Sequence, residues 1–365
     1  MILGNFGMRT FQVSDINEKH SFLDYRISRI LSCLVMVMVA FAYFAIRGYQ
    51  GQMYTICVGM CLYKVCDAFA DVYDGRLQHI DKLYLAGVSQ SVRSVVCFLS
   101  CTICVLITGD IGLASMVMAG FGAASLVLFT IPLALFESPK SRGFKLDSFV
   151  ELIRTCWPVF LALFLYSLID NMPKFVMEGP LGYDNQLYFN ALYIPANTIL
   201  VIVGLIYKPL LVRMSETWAD QSKHKQFNLF VFLMFGIIAV ITAIAVVIMD
   251  FIGIPLMSLM YGVDFEQFRF IARIMMVAGG ITGGIDFLYQ VITVIRKQRM
   301  VLSIYIIVFF FSIIIPWLMI SMFKLEGAVV AYALTMGILF VLMRREYLNE
   351  LLHQRQKAKE LEEQQ

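Results

Sequence analysis

Charge is what this chain is shortest of. Among 365 residues there are 29 Lys or Arg and 26 Asp or Glu, 15% in all, where soluble domains carry about 25%. That shortage excludes a soluble globular fold. It also excludes a nucleic-acid-binding surface, because a net charge of +3 cannot neutralise a phosphate backbone. Histidine is rarer still: the four, at positions 20, 79, 224 and 353, are scattered and form no metal-ligand set. No G-x-x-x-x-G-K-S/T loop is present, which argues against ATP hydrolysis by this chain. Nor is a cleavable leader visible, since the first apolar stretch follows a charged segment and no small-residue cleavage site comes after it. The eight cysteines, at 33, 57, 61, 66, 97, 101, 104 and 156, all fall inside apolar runs and read as packing residues rather than disulfides or metal ligands.

What is abundant is apolar surface, 60% of residues. A membrane-crossing helix needs about 20 mainly apolar residues, because roughly 30 Å of hydrocarbon is covered at about 1.5 Å per residue. Ten runs qualify: 28–47, 53–73, 88–109, 112–135, 149–170, 187–208, 227–249, 270–294, 300–322 and 326–343. Backbone groups in lipid must bond internally, so these runs predict helices; a barrel would need a polar alternation that 237–249 lacks. The expectation is an all-α polytopic membrane protein with about ten transmembrane helices. Loop charge sets its orientation. With 1–27 in the cytoplasm, that side collects Arg9, Lys19, Arg26, Arg76, Lys82, Lys140, Arg142, Lys145, Lys208, Arg213, Lys223, Lys225, Arg296, Lys297, Arg299 and the basic residues after 343, against Arg47, Lys174, Arg269 and Lys324 on the other. Both termini are therefore expected in the cytoplasm. The far-side loops, the longest at 171–186 and 250–269, are too short to form a catalytic domain.

Ionisable groups at membrane depth are costly and usually face a bundle interior or a wet cavity. Lys64, Asp67, Asp71 and Asp74 fall at i, i+3, i+7 and i+10, on one helical face. They read either as a cavity lining or as a Lys64–Asp67 pair locking two helices while Asp71 and Asp74 snorkel to the surface. Asp286 follows Gly279, Gly280, Gly283 and Gly284, a pattern for close helix approach or for a bend. It reads as a packed, hydrogen-bonded acid or as a coupling-ion site. Arg93, Arg154 and Arg273 lie one or two turns inside a membrane edge, as snorkelling cations or as a set that makes a cavity cationic. Asn190, Tyr193, Asn197 and Gly204 share one face near Pro195 and Pro209, which are expected to interrupt or end the helix. Amides and phenols there suit hydroxyl-rich ligands, or interhelical bonds around a proline bend. The tail from Glu346 lacks an apolar stripe and is expected to be a frayed helix in solvent.

A faint repeat links Arg76-Leu77-Gln78 with Arg296-Lys297-Gln298, each followed by an apolar span and a Gly-led start at Gly112 or Gly327. Both copies fall on the same side, which suggests a parallel duplication of six helices per half. The opening Gly4-Asn5-Phe6-Gly7-Met8-Arg9-Thr10-Phe11-Gln12-Val13-Ser14-Asp15, then Cys156-Trp157-Pro158, Asp170-Asn171-Met172-Pro173-Lys174, Tyr207-Lys208-Pro209-Leu210-Leu211 and Leu325-Glu326-Gly327-Ala328-Val329-Val330-Ala331-Tyr332 resemble elements of bacterial polysaccharide-biosynthesis proteins. These are the lipid-linked oligosaccharide (O-antigen type) flippases of the multidrug/oligosaccharidyl-lipid/polysaccharide exporter superfamily. The likeness runs along essentially the whole chain.

That resemblance implies a two-lobe MATE-like exporter fold with an incomplete N-terminal lobe, since two opening helices of the pattern are absent. The chain is accordingly expected to be a shortened reading of a longer gene, or a ten-helix variant. Its expected parts are a cytoplasmic segment 1–27, a four-helix N-terminal lobe 28–135, a linker 136–148, a six-helix C-terminal lobe 149–343 and a charged tail 344–365. The resemblance further implies a non-enzymatic carrier in the bacterial cytoplasmic membrane. It would move undecaprenyl-diphosphate-linked oligosaccharide by alternating access, beside polysaccharide polymerases and glycosyltransferases, with no cofactor beyond H⁺ or Na⁺. Lys64, Arg93 and Arg154 are the candidates for the diphosphate, Asn190, Tyr193 and Asn197 for the sugars, and Asp67, Asp71 and Asp286 for ion coupling. The competing readings are an ion-coupled exporter of small cations, a membrane transferase acting on lipid-linked sugars, and an inactive assembly partner.

Overall fold

A computed structural model describes every residue except 15–19, 139–142, 144–145, 220–222, 296–297 and 364–365. Asp15, Lys19, Lys140, Arg142, Lys145, Arg296 and Lys297 lie outside the described residues, and so does most of the second R-x-Q corner. Helices account for nearly all the rest: α1 Ile2–Asn5, α2 Met8–Ser14, α3 Phe22–Arg47, α4 Gly51–His79, α5 Leu83–Thr108, α6 Ile111–Ser125, α7 Ile131–Glu137, α8 Leu146–Met177, α9 Tyr183–Tyr207, α10 Leu211–Ala219, α11 His224–Ile248, α12 Ile254–Tyr261, α13 Arg269–Val294 and α14 Gln298–Glu363. No strand occurs among the described residues.

Among the described residues, eight helical runs are long and apolar enough to cross a membrane. The difference from ten has two causes. Helix α4 has the length, but Lys64, Asp67, Asp71 and Asp74 lower its hydropathy. The last run, Met300–Leu352, holds two crossings joined at Lys324, whose φ of 52° and ψ of −123° break the helix. Gly327 makes that reversal possible, because a Cβ there would stand 2.0 Å from the Met319 carbonyl oxygen. The far-side loops are also shorter than expected: α8 runs on to Met177, and α12 fills much of 250–269.

The chain forms two compact units, Met1–Phe164 and Leu165–Gln365. This boundary falls inside α8, past the 136–148 segment read as a linker. In the first unit, α4 packs against α3, α5 and α6 and is met by the short helices α1 and α2. Within the segment read as 1–27, the described helices α1 and α2 pack against the first unit. Met8, Phe22 and Tyr25 join Val72, Tyr73, Leu77 and Cys156 in one buried core. Ser21 starts α3 with a capping box, accepting from the Asp24 N–H at 3.1 Å while Asp24 accepts from the Ser21 N–H at 3.0 Å.

In the second unit α13 is the central helix, packed against α9, α11 and α14. Its glycines set close packing rather than a bend. A Cβ on Gly279 would lie 2.4 Å from the Ala196 carbonyl oxygen of α9, and one on Gly280 would lie 2.1 Å from Thr242 Oγ1 of α11. Pro195 does not interrupt α9, which continues to Tyr207 and tightens into a 3₁₀ turn at Lys208–Leu210, around Pro209. The tail is not wholly in solvent, since Tyr347 is buried and donates to Asn228 Oδ1 at 3.0 Å.

Two wide π turns, Leu126–Thr130 and Met249–Gly253, precede Pro132 and Pro255. A proline removes the N–H that the carbonyl four residues earlier would receive. The ladder adapts by stepping one residue: the Ile131 N–H reaches the Leu126 carbonyl, and the Ile254 N–H reaches that of Met249.

Candidate functional site

Each unit carries its own polar cluster in an otherwise apolar interior. In the first, α4 presents Lys64, Asp67, Asp71 and Asp74 in a ladder, as the spacing predicts, and the neighbouring helices supply arginines to it. Arg93 of α5 is 2% exposed and donates to Asp74 Oδ2 at 3.2 Å, to Asp67 Oδ1 at 3.4 Å and to Thr130 Oγ1 at 3.3 Å. Thr130, in the first π turn, also bonds Ser89 at 2.9 Å. Asp71 accepts from Arg9 at 2.8 Å and from Arg29 at 2.7 Å. Asp71 and Asp74 therefore do not snorkel to a surface; both are claimed by arginines inside the unit.

The opening motif supplies Arg9 and fixes Arg29. Arg29 is fully buried and donates to the Gly4 carbonyl at 2.6 Å and to Asn5 Oδ1 at 3.3 Å. Arg9 also reaches Gln78 Oε1 at 3.2 Å, and Gln12 donates to the Val72 carbonyl at 2.8 Å. Residues noted in sequence only for their resemblance thus lock onto α4 and its Arg76-Leu77-Gln78 corner.

Lys64 stands apart. Its side chain is 41% exposed and 3.8 Å from Asp67 Oδ2, an oxygen pair that Arg93 also engages. Four cations on this ladder, Arg9, Arg29, Lys64 and Arg93, face three carboxylates. Arg154 is exposed on α8, and no ion pair joins it to the ladder among the described residues.

In the second unit the organising acid is Asp170, which the sequence reading passed over. Tyr193 donates to its Oδ2 at 2.7 Å and Tyr332 to its Oδ1 at 2.9 Å, with Thr282 Oγ1 3.3 Å from the Tyr332 hydroxyl. The Lys174 ammonium lies 3.9 Å from the centre of the Tyr193 ring. Asp286 accepts from the Tyr207 hydroxyl. Tyr166 and Tyr305, ring centres 5.7 Å apart, pack in the same unit. Asn190 is half-buried and Asn197 exposed on α9. Arg273 does not enlarge a cationic set: it is paired with Asp250 of the second π turn at 2.9 Å. The signal for Asp170 was available in Asp170-Asn171-Met172-Pro173-Lys174, where acid and base one turn apart share a helix face.

This helical fold has counterparts among solved structures. The Vibrio cholerae MATE transporter VcmN in its bent form superposes with a TM-score of 0.62 at 13% identity, covering 96% of this chain and 85% of that one. The fold is that of the MATE transporters. An inward-facing multidrug resistance MATE family transporter of the MOP superfamily aligns with a TM-score of 0.63 at 12% identity, over 94% of this chain and 87% of its own. A MOP superfamily transporter from Pyrococcus furiosus, described as having a binding pocket of reverse polarity that suggests a different function, aligns with a TM-score of 0.58 at 14% identity, over 94% of this chain and 82% of that one. No family model and no curated protein matches the sequence. With this MATE fold and eight runs able to span a bilayer, the chain is a multi-pass membrane protein.

Proposed function

We propose that this chain is an exporter that flips undecaprenyl-diphosphate-linked oligosaccharide across the bacterial cytoplasmic membrane by alternating access. The observation that carries the reading is Lys64, a half-exposed cation at membrane depth whose acidic neighbour is shared with a buried arginine. An anionic head group is the complementary ligand for such a charge. Arg93 acts indirectly, by holding Asp67 and leaving Lys64 available; Arg154 adds a second exposed cation in that unit. In the second unit Asn190, Tyr193 and Asn197 meet sugar hydroxyls. Coupling to H⁺ or Na⁺ falls to Asp286 and Asp170, because Asp67 and Asp71 already accept from arginines.

A second reading, export of small organic cations, draws on the Asp170–Tyr193–Tyr332 cluster, since a carboxylate among aromatic rings also suits a cation. Reconstitution separates the two. In vesicles loaded with a lipid-linked sugar, Lys64→Ala should cut translocation at least about tenfold, the loss of one charge-assisted contact of about 1.5–3 kcal/mol. Undiminished flipping by Lys64→Ala would overturn capture by this lysine, and organic-cation uptake blocked by Asp170→Asn would favour the second reading.

A further inference from the structure

A groove of about 900 Å³ lies in the second unit between α11, α13 and α14, and none of its lining residues belongs to the Asp170 cluster of that unit. On α11 it runs from Asn228 to Val246, about 27 Å of helix at about 1.5 Å per residue, nearly the apolar thickness of a bilayer, roughly 30 Å. Its walls are almost wholly apolar, with Val277 and Phe340 among them, and its floor is lowered by Gly280 and Gly284 of α13. Apart from Thr242, whose hydroxyl is spent on the Ile238 carbonyl at 2.7 Å, its polar groups gather at one end. There Tyr347 is bonded to Asn228 at 3.0 Å, and Arg344, one turn before Tyr347 on the same face of α14, lines the groove. Arg344 is exposed and makes no ion pair with any described residue.

A long apolar slot along membrane-spanning helices, closed at one end by an unpaired arginine, has the charge and shape of a phospholipid. Basic pockets between transmembrane helices recognise anionic head groups, and an arginine fork matches phosphate oxygens. We propose that the groove binds one anionic phospholipid of the surrounding bilayer, an acyl chain laid along α11 and the phosphate on Arg344. Asn228 and Tyr347 bond the glycerol region. This site is independent of the transported substrate.

The test uses the purified full chain in detergent with phosphatidylglycerol, phosphatidylethanolamine or a polyprenyl phosphate, and counts retained lipid by native mass spectrometry. Phosphatidylglycerol should be retained in preference to the other two. Arg344→Gln should lower its retention about fivefold, the share of one basic residue near a membrane surface, while Arg345→Gln leaves it unchanged. Ala243→Trp, which fills the middle of the slot, should lower phosphatidylglycerol retention whatever the head-group contact, with an unchanged melting temperature showing that the variant is folded. The proposal is overturned if both Arg344→Gln and a folded Ala243→Trp retain phosphatidylglycerol as the wild type does, or if polyprenyl phosphate displaces it.

Discussion

Two carboxylates of one helix face, Asp67 and Asp71, have different jobs because of what surrounds them. Asp71 neutralises Arg29, a guanidinium with no exposed surface. Removing one partner of a buried pair leaves the other charge stranded, so Asp71→Ala should cost about 3–5 kcal/mol. Lys64 sits 41% in the open, where an ion pair contributes about 0–1 kcal/mol, so Lys64→Gln should leave the melting temperature in detergent nearly unchanged. Thermal unfolding of the two variants, compared with their transport, separates a structural acid from a ligand-facing base. The alignment of these side chains was legible in the sequence, since 3.6-residue periodicity places i, i+3, i+7 and i+10 together. Their partners were not. Arg93 and Arg29 come from other helices, and no spacing rule says which neighbour a buried carboxylate will face. Asp170 was missed for the same reason: its tyrosines lie 23 and 162 residues further along the chain.

For the helices themselves, small residues and caps decide how closely and how firmly elements meet. Gly279 faces backbone of α9, which cannot rotate aside, so Gly279→Ala should destabilise by about 1–3 kcal/mol as an overpacking change. Gly337, with open space where a Cβ would stand, should accept alanine without loss; melting temperatures of the two variants provide the comparison. At the start of α6, Asp110 accepts from the Gly112 N–H at 2.7 Å and the Leu113 N–H at 3.2 Å. Those two backbone donors hold its carboxyl below the usual value of 3.8. A depressed folded value means that this cap stabilises fully above the unfolded value and is lost as pH falls through the folded one. Asp110→Asn keeps an acceptor oxygen and should remove that acid-dependent part of thermal stability, seen as a smaller drop in melting temperature between neutral and acidic buffer. The glycine run announced close packing in sequence but not its direction, because one glycine face serves several neighbours at once.

Across the whole chain, hydropathy picked out ten runs, among them 53–73, which is α4 despite its polar ladder, and the pair 300–322 and 326–343, which the structure joins into one helical run broken at Lys324. Ten crossings, an even number, predict that both termini lie on one side of the membrane. Phosphatase fused after residue 50 should be active outside the cell, and fusions at either terminus should be silent there; the opposite pattern would reverse the topology. The short helices α1 and α2 were not legible in the sequence, since helices of 4 and 7 residues buried by tertiary contact carry no span-length hydrophobic signal. The proline-linked π turns bear on the whole bundle in another way. Each inserts one extra residue, so everything after it is rotated by about 100° relative to an uninterrupted α-helix. Restoring the N–H with Pro132→Ala gives the helix a choice between two registers, one of which swings Thr130 away from Arg93. Proline here works as a detent: it fixes which side chains the second half of the helix shows to its neighbours while leaving the first half untouched.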